Sequence, residues 1–307
     1  MSDALKKPVY GSINVPLALF WSKPSEDAVC KNSSNQAALH TAVWSEDLST
    51  DERLWLVGKV DTTALYGERL LILERQGEWL KVVAVSQPTN QNSQGYPGWV
   101  LASQIGCDST YLREQVSLTE AVIMIPKASL FSDPALTDAR IVLSYQTRLP
   151  IIAESASSVK VRLPDGTTGY LSPKEIKKTD ELSFSSRGIV QEARRFLDLK
   201  YLWSGTSSFG FDCSGLMFRL YQSQGIIIPR DASEQAAAGM AIAKGNLEPG
   251  DLLFFAINRS PEKIHHVGMY IGDSLMIHAP NSKSVIRIEP FEGDVYGEEY
   301  WGARRYR

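Results

Sequence analysis

The chain has 307 residues, of which 43% are hydrophobic and 22% are charged, a composition typical of soluble globular proteins with two or three domains. Its formal net charge of -3 leaves no basic field that would bind a nucleic-acid backbone or acidic lipid. Cys30, Cys107 and Cys213 are far apart, odd in number and without a CxxC pair, so neither a disulfide framework nor a zinc finger is indicated. At least one thiol must therefore be free.

The N-terminal residues show neither a membrane span nor a signal peptide. The apolar run at residues 15–21 is too short to cross a bilayer, and its flanks lack the layout of a secretory signal. We therefore predict a cytoplasmic protein, although an exported protein that had lost its leader would have the same sequence.

Residues 10–180 consist mainly of short β-prone runs separated by Gly, Pro, Asn and Asp, which predicts small β-barrels. One helix interrupts them. Ser49 is its predicted N-cap, Glu52 completes a capping box, and Gly58 ends it. We expect this helix to have a packing role.

An internal repeat indicates that there are two related barrels. The paired stretches are 64–66 with 129–131, 77–82 with 157–161, and 98–103 with 169–173. The last pair resembles the closing strand of bacterial SH3 domains. The first copy has a polar loop at residues 86–95 where the second has a tight turn at 163–166, and such long loops are often functional.

A polar stretch at residues 183–188 predicts a linker to a third domain, where helical periodicity begins. Asp212 is the predicted N-cap of a later helix that Gly225 ends. Cys213 then lies in the first turn, where the helix dipole favours thiolate over thiol. Because thiolate is the nucleophilic form, Cys213 is a candidate nucleophile, whereas Cys30 and Cys107 are interpreted as buried structural residues.

Three of the four histidines lie between residues 265 and 278, in two predicted strands joined by a turn at 272–274. This hairpin would place His266 beside His278, so that one exchanges a proton with Cys213 and the other fixes the tautomer. Zinc bound by the same three residues is an alternative, but it lacks a further Cys or acidic ligand. His40 is interpreted as a surface or packing residue.

These segments resemble the NlpC-type cysteine peptidases of bacterial cell-wall metabolism, circularly permuted relatives of papain. The resemblance rests on residues 211–215 (FDCSG), 247–252 (LEPGDL) and 266–272 (HVGMYIG) and on His278, and covers roughly the last 120 residues. It implies four roles: Cys213 as nucleophile, His266 as base, His278 as orienting residue and Tyr201 beside the oxyanion site. His265 does not match the catalytic position.

Two barrels before such a domain are similar to the architecture of the γ-D-glutamyl-L-diamino-acid endopeptidases, whose first barrel closes one side of the cleft. By this resemblance, the free amine of an N-terminal L-Ala binds Glu68, Tyr96 and Asp231, and D-Glu binds Asp212, Ser214 and Tyr201. A buried ammonium needs such carboxylate partners. Solvated loop carboxylates are the competing interpretation of Glu68 and Asp231. Ser204 stands where members often have Gly, which could narrow the approach of substrate.

The fold predicted is therefore multidomain: two small bacterial SH3-like β-barrels followed by an α+β papain-like cysteine peptidase domain. The predicted boundaries are 1–118 for the first barrel with its inserted helix, 119–182 for the second barrel and 183–307 for the peptidase.

The expected substrates are peptidoglycan stem peptides with a free N-terminal L-Ala. The reaction implied is hydrolysis of the amide between γ-D-Glu and a diamino acid, diaminopimelate or Lys, through a thioester and without a metal or organic cofactor. The alternatives are an amidase or acyltransferase that uses the same triad, and a non-catalytic cell-wall binding protein.

Overall fold

The structure is a computed structural model that describes residues 8–24, 45 and 47–307. Cys30 and His40 lie outside the described residues. None of the helices within these ranges is long and apolar enough to cross a membrane.

The first unit is an antiparallel sheet with the strand order β3-β2-β6-β5-β4-β1-β7. Its strands are β1 Val9–Ile13, β2 Leu17–Trp21, β3 Val60–Leu65, β4 Arg69–Gln76, β5 Trp79–Ala84, β6 Tyr96–Leu101 and β7 Ile105–Gly106. The sheet curls around an apolar core that includes Phe20, Leu70 and Val82. Helix α1 (Thr50–Trp55) lies in the long β2–β3 connection, and helix α2 (Ser109–Glu114) follows β7.

The start of α1 agrees with the sequence prediction. Ser49 accepts a hydrogen bond from the backbone N–H of Glu52, and the Glu52 carboxylate accepts one from the backbone N–H of Ser49. This reciprocal pair satisfies two N–H groups that a helix start otherwise leaves without a partner. Gly58 follows the helix with a φ of +73°, a conformation that favours glycine.

The second unit repeats the first, strand for strand. Its strands are β8 Glu120–Ile123, β9 Lys127–Phe131, β10 Ala139–Ser144, β11 Arg148–Glu154, β12 Val159–Arg162, β13 Thr168–Leu171 and β14 Ile176–Lys178. Their order, β10-β9-β13-β12-β11-β8-β14, is that of the first sheet.

One of the three pairings in the predicted repeat is wrong. Residues 129–131 lie in β9, whose counterpart is β2, whereas residues 64–66 begin at the end of β3. The long β2–β3 connection separates these two strands, so similar residue patterns were matched one strand out of step. The other two pairings, β5 with β12 and β6 with β13, are confirmed.

The third unit combines helices with an antiparallel six-stranded sheet of order β17-β22-β18-β19-β20-β21. Its helices are α3 Ser186–Arg194, α4 Cys213–Gln222, α5 Ala232–Ala237 and α6 Asp294–Glu299. A short hairpin of β15 Thr206–Ser207 and β16 Gly210–Phe211 precedes α4. The sheet contains β17 Met240–Ile242, β18 Leu252–Ala256, β19 Ile264–Gly272, β20 Leu275–His278, β21 Arg287–Pro290 and β22 Tyr300–Arg305.

Helix α3 begins inside the predicted linker. The Ser185 hydroxyl caps it by accepting a hydrogen bond from the backbone N–H of Gly188. The polar residues of this stretch are thus a helix start as well as a connection.

Helix α4 is the centre of the third unit. Every one of its residues is buried, and its apolar side chains pack with residues of β19 such as Val267 and Met269. A helix buried on all sides is held by packing rather than by its intrinsic helix propensity. The N-terminal turn of α4 is therefore fixed relative to the sheet.

Several buried hydrogen bonds attach the first barrel to the peptidase domain. The Thr63 hydroxyl accepts a hydrogen bond from the backbone N–H of Thr206, and the Thr206 hydroxyl donates to the carbonyl of Thr63. The indole N–H of Trp203 donates to the carbonyl of Val60 at 2.9 Å. From α1, Arg53 donates to the carbonyl of Ser282. The first barrel is thus held next to the start of α4.

Candidate active site

Cys213 is the first residue of α4 and is 9% exposed. Asp212 caps the helix, since its carboxylate accepts a hydrogen bond from the backbone N–H of Gly215 at 2.6 Å. The backbone N–H groups of Val267 and Ser214 donate to the sulfur. Because Val267 follows His266 directly, the sulfur lies against the strand that carries the predicted base.

The acid–base state of Cys213 differs from the sequence expectation. Burial, with the charge of Asp212, raises the pKa of the thiol to about 12, against the opposing effects of the Val267 and Ser214 N–H groups and of Arg230. The structure therefore favours a neutral thiol at rest rather than a thiolate. Deprotonation then has to accompany transfer of the proton to a base.

The two histidines lie side by side, as the predicted hairpin requires. Asp273 and Ser274 form the two-residue turn between β19 and β20 and both have positive φ values, as a tight hairpin turn needs. The Nε2 atom of His266 is 2.7 Å from the Nδ1 atom of His278. Both rings are buried, whereas His265 points outward and contacts Glu299.

Burial lowers the pKa of both histidines, so both are neutral near pH 7. The pKa of His266 lies well below its usual value, and that of His278 falls to about 4 although Glu289 acts to raise it. The Nε2 atom of His278 is 2.5 Å from a carboxylate oxygen of Glu289. Glu289 was not predicted as a site residue, because in the sequence it is only a charged residue next to the alternating apolar residues Ile286 and Ile288.

The hydrogen bonds of His278 also bear on the zinc alternative. Both of its ring nitrogens already have protein partners, His266 on one side and Glu289 on the other. A metal ion would have to displace one of them. Within residues 8–24, 45 and 47–307, no group of three His, Cys, Asp or Glu side chains has the arrangement of a metal site.

Cys107, expected to be buried, is exposed.

Arg230 organises the residues on either side of Cys213. Its guanidinium is 1% exposed and donates to the Asp212 carboxylate at 2.6 Å and to the Ser214 hydroxyl at 2.8 Å. Its Nε atom donates to the hydroxyl of Thr62 in the first barrel. A buried cation with several charge-assisted hydrogen bonds fixes the orientation of its partners.

Tyr201 lies close to the same residues. Its ring is buried, and burial together with the nearby Cys213 and Asp212 raises the pKa of its hydroxyl well above the usual value. Its backbone N–H donates to the carbonyl of Ser284. The hydroxyl therefore stays protonated and can donate a hydrogen bond next to Cys213.

The loop at residues 86–95 meets the peptidase segment that begins at Arg230. Glu234 accepts hydrogen bonds from the Thr89 hydroxyl and from the backbone N–H of Asn90, at 3.0 and 2.7 Å. The Tyr96 hydroxyl donates to the Asp231 carboxylate at 3.0 Å. Tyr96 and Asp231 are thus brought together, and the loop is hydrogen-bonded to α5 close to them.

The Glu68 carboxylate is not free to bind an amine together with Tyr96 and Asp231. Its side chain is 6% exposed and forms an ion pair with Arg219 of α4 at 2.8 Å. It also accepts hydrogen bonds from Ser86, Gln87 and the backbone N–H of Leu65. Burial acts to raise its pKa, but Arg219 and these hydrogen bonds together lower it.

The prediction for Glu68 as an amine ligand is therefore corrected. Four donors already occupy its two oxygens, so no acceptor site is left for an ammonium. The carboxylate instead connects the first barrel to α4. The sequence could not distinguish this role, because Arg219 is distant along the chain and looks like an exposed helix residue.

Asp61 is a further acidic residue whose pKa responds to the charge of Asp231. It lies in β3 on the same face as Thr63, which contacts the peptidase domain. Burial and then the charge of Asp231 raise the pKa of Asp61. The available signal in the sequence was an Asp within a strand, a position that this residue type disfavours.

Ser204 does not narrow the approach of substrate in the way we expected. Its backbone has a φ of +60°, a region that glycine adopts most easily. Its hydroxyl donates to the carbonyl of Val60 in the first barrel at 2.7 Å and is directed into that interface.

A buried cysteine at the start of a helix, packed against a β-hairpin that supplies a histidine pair, defines the site of a papain-like cysteine peptidase. Comparison with known proteins agrees with this class. Residues 198–305 match the NlpC/P60 family, and residues 123–178 match the YKFC SH3b2 domain.

Two similar proteins are named gamma-D-glutamyl-L-lysine dipeptidyl-peptidase. The one from Bacillus cereus is 36% identical over 98% of this chain and 92% of its own length, and the one from Bacillus subtilis is 33% identical over 94% and 96%. The crystal structure of an NlpC/P60 family protein from Bacillus cereus has a TM-score of 0.90 at 35% identity, over 97% of this chain and 99% of that one.

The chain belongs to the NlpC/P60 family and is a cysteine peptidase. The predicted fold of two SH3-like barrels followed by a papain-like domain is confirmed.

Proposed function

We propose that this peptidase hydrolyses the amide between γ-D-Glu and a diamino acid, Lys or diaminopimelate, in peptidoglycan stem peptides with a free N-terminal L-Ala. The names of the two relatives that match nearly the whole chain support the γ-D-glutamyl bond. The carboxylate pair beside the loop at residues 86–95 supports the requirement for a free amine.

The observation that carries this proposal is the hydrogen bond between Tyr96 and Asp231 beside the loop at residues 86–95, with Asp61 near enough to respond to the charge of Asp231. Asp61 and Asp231 both have raised pKa values, because both are partly buried and the charge of Asp231 acts on Asp61. Two such carboxylates disfavour each other's charged form until a cation binds between them. An α-ammonium group, with three N–H donors, fits Asp61, Asp231 and the Tyr96 hydroxyl oxygen.

The D-Glu residue would then lie over the start of α4. Ser214 supplies a hydroxyl there and Tyr201 a phenol. Asp212 acts through them rather than by direct contact in our proposal, because its oxygens already bind Arg230, Ser214 and the Gly215 N–H. The roles of Ser214 and Tyr201 are retained from the sequence analysis, and that of Asp212 is refined.

The chemistry follows from the neutral Cys213–His266 pair. As the sulfur attacks the carbonyl carbon of γ-D-Glu, its proton passes to His266, and the carbonyl oxygen becomes an oxyanion near the Tyr201 hydroxyl and the Cys213 N–H. The C–N bond then breaks, and His266 returns the proton to the leaving amine. Water, activated by His266, hydrolyses the thioester and releases L-Ala-γ-D-Glu.

A free L-Ala amine also indicates where the reaction belongs in cell-wall turnover. In a stem peptide still attached to glycan, this nitrogen is part of an amide and carries no charge. The carboxylate pair therefore favours peptides already detached from glycan. We accordingly propose a role in recycling released peptides, in keeping with the cytoplasmic location expected from the sequence.

The test is to compare kcat/KM for L-Ala-γ-D-Glu-L-Lys with that for the same peptide acetylated on its N-terminus. Loss of a buried charge pair should reduce kcat/KM roughly 100-fold for the acetylated peptide. Asp61→Asn should lower kcat/KM for the free peptide and narrow this difference, whereas the exposed control Glu78→Gln should not. Equal cleavage of both peptides by the wild-type protein would reject the amine pocket.

A further inference from the structure

Glu289 occupies a position that links it to the catalytic histidines. Strands β20 and β21 are antiparallel neighbours, with Met276 opposite Glu289 and His278 opposite Arg287. His278 and Glu289 are therefore diagonal neighbours on one face of the sheet. A carboxylate oxygen of Glu289 is 2.5 Å from the Nε2 atom of His278, and Arg287 donates to the same oxygen at 3.0 Å.

The hydrogen bonds of this carboxylate determine where the ring protons lie. A carboxylate only accepts hydrogen bonds, so the Nε2 atom of His278 must carry a proton. In a neutral ring, the Nδ1 atom of His278 is then an acceptor. The Nε2 atom of His266, at 2.7 Å, must therefore be the donor between the two rings.

The Nδ1 atom of His266 is left as the nitrogen that can react. If His266 is neutral and carries its proton on Nε2, its Nδ1 atom has a free lone pair. This is the nitrogen that can accept the Cys213 proton. The other tautomer would present an N–H group to the sulfur and could not act as a base.

We propose that Glu289 is a positioning residue of this peptidase, which fixes the tautomers of His278 and then His266 so that the Nδ1 atom of His266 can accept the Cys213 proton. The inference rests on the proposed roles of Cys213, His266 and His278. It adds the Glu289 carboxylate as a fourth group, hydrogen-bonded to His278. Its negative charge also stabilises the imidazolium that forms when the proton arrives.

The two histidines are shielded from solvent, and Glu289 is partly shielded. Tyr296 of α6 packs against both rings, with its ring centroid 5.5 Å from that of His266 and 5.1 Å from that of His278. The Glu289 side chain is 25% exposed. His265 acts on the pKa of His266, and Glu289 and Arg287 act on the pKa of His278. Cys213 and Tyr296 are the other titratable groups that face the two rings, and Glu299 contacts His265.

The experiment compares Glu289→Ala, Glu289→Gln and the exposed control Glu262→Gln in the full-length protein, with L-Ala-γ-D-Glu-L-Lys as substrate. By analogy with carboxylates behind metal-bound histidines, we expect Glu289→Ala to reduce kcat roughly 10- to 100-fold with little change in KM. Glu289→Gln keeps an acceptor oxygen but no charge and should lose less. The control should retain wild-type kcat.

The pH profile separates this role from a merely structural one. The carboxylate acts to raise the pKa of His278, so removing its charge should shift the limb of kcat/KM that the histidine pair governs to lower pH. Glu289→Gln should show this shift and Glu262→Gln should not. An unshifted profile and wild-type kcat in both Glu289 variants would overturn the inference.

Ring ¹⁵N chemical shifts test the tautomers without reference to turnover. In the resting wild-type protein near pH 7.5, both His266 and His278 should carry their protons on Nε2. A proton on the Nδ1 atom of His278 would overturn the inference. If the wild-type protein does not cleave the peptide at all, the proposed function fails instead, and the ring shifts still decide the tautomer.

Discussion

Burial determines the charge states at the centre of this site. It raises the pKa of the Cys213 thiol and lowers the pKa of His266 and His278, so that all three groups are neutral at rest. The helix dipole, which the sequence analysis invoked for a thiolate, acts against this burial. Because the thiol is protonated before attack, the nitrogen of His266 that faces it must be unprotonated to accept its proton.

The first residue-scale prediction concerns stability and pH. The folded-state pKa of His278 is about 4, below the ordinary value of 6.5, so between these pH values the unfolded chain binds a proton that the folded protein does not. The free energy of unfolding should therefore fall as pH decreases from 6.5 to 4, by about 3 kcal/mol from this residue.

Denaturant unfolding at a series of pH values measures this effect. His278→Gln removes the titrating group, so its free energy of unfolding should fall less between pH 6.5 and 4. The decrease that remains would come from the buried His266. If the variant and the wild-type protein lose the same free energy across that interval, His278 does not titrate as we predict.

Sequence reasoning succeeded at the residue scale where the chemistry is local. Cys213, its Asp212 cap and the turn before His278 could all be predicted, because each depends on neighbours a few residues away. Glu68 was assigned the wrong role and Asp61 was missed. Whether a carboxylate is free or paired depends on partners from another domain, and no local pattern reports them.

The connection between β5 and β6 is longer than its counterpart in the second barrel. In the second barrel, β12 and β13 are joined by residues 163–167, whereas the first barrel uses residues 85–95. The longer loop binds Glu234 of α5 and stands beside Tyr96 and Asp231. The sequence singled out this loop as a candidate functional addition, and its role in substrate binding stays a prediction.

We predict that Glu234→Ala weakens substrate binding by releasing this loop from α5. The hydrogen bonds from Thr89 and Asn90 to a charged oxygen should be worth enough to raise KM roughly 10-fold when they are lost. Because Glu234 is distant from the reacting sulfur in the proposed mechanism, kcat should change little. Gln94→Ala, on the exposed side of the loop, is the matched control.

Steady-state kinetics with L-Ala-γ-D-Glu-L-Lys measure both constants. An unchanged KM in Glu234→Ala would show that the docked loop does not contribute to the pocket. A loss confined to kcat would also contradict the account.

The repeat between the two barrels was predicted from the sequence in part. Two of the three strand pairings were correct, because β5 and β6 of the first barrel keep patterns similar to those of β12 and β13 although the loops between them differ in length. The third failed because the long connection containing α1 separates β2 from β3 in the first barrel alone. A pattern of small, apolar and aromatic residues is too short to determine which strand it belongs to.

At the scale of the whole molecule, the first barrel and the peptidase are joined by buried polar contacts. Arg219 of α4 is 2% exposed and pairs with Glu68, while Arg230 bonds Thr62 in β3. The fold class and domain order could be predicted from the sequence. These contacts could not, because they join residues more than 140 positions apart.

We predict that Glu68→Gln destabilises the protein without changing its preference for a free amine. Removing one partner leaves the Arg219 guanidinium buried and unpaired, which should lower the free energy of unfolding by about 3–5 kcal/mol. Denaturant unfolding gives this value, and the ratio of kcat/KM for free and acetylated peptide gives the specificity. A stable variant that had lost its preference would restore Glu68 to the amine pocket.

The most direct test of the central claim is turnover of L-Ala-γ-D-Glu-L-Lys by Cys213→Ala, beside Cys107→Ala as a control for an exposed thiol. We predict that Cys213→Ala loses at least about 1,000-fold in kcat, while it keeps the wild-type circular dichroism and still binds the peptide. Cys107→Ala should remain fully active. Turnover by Cys213→Ala within a few-fold of the wild-type rate would contradict the account.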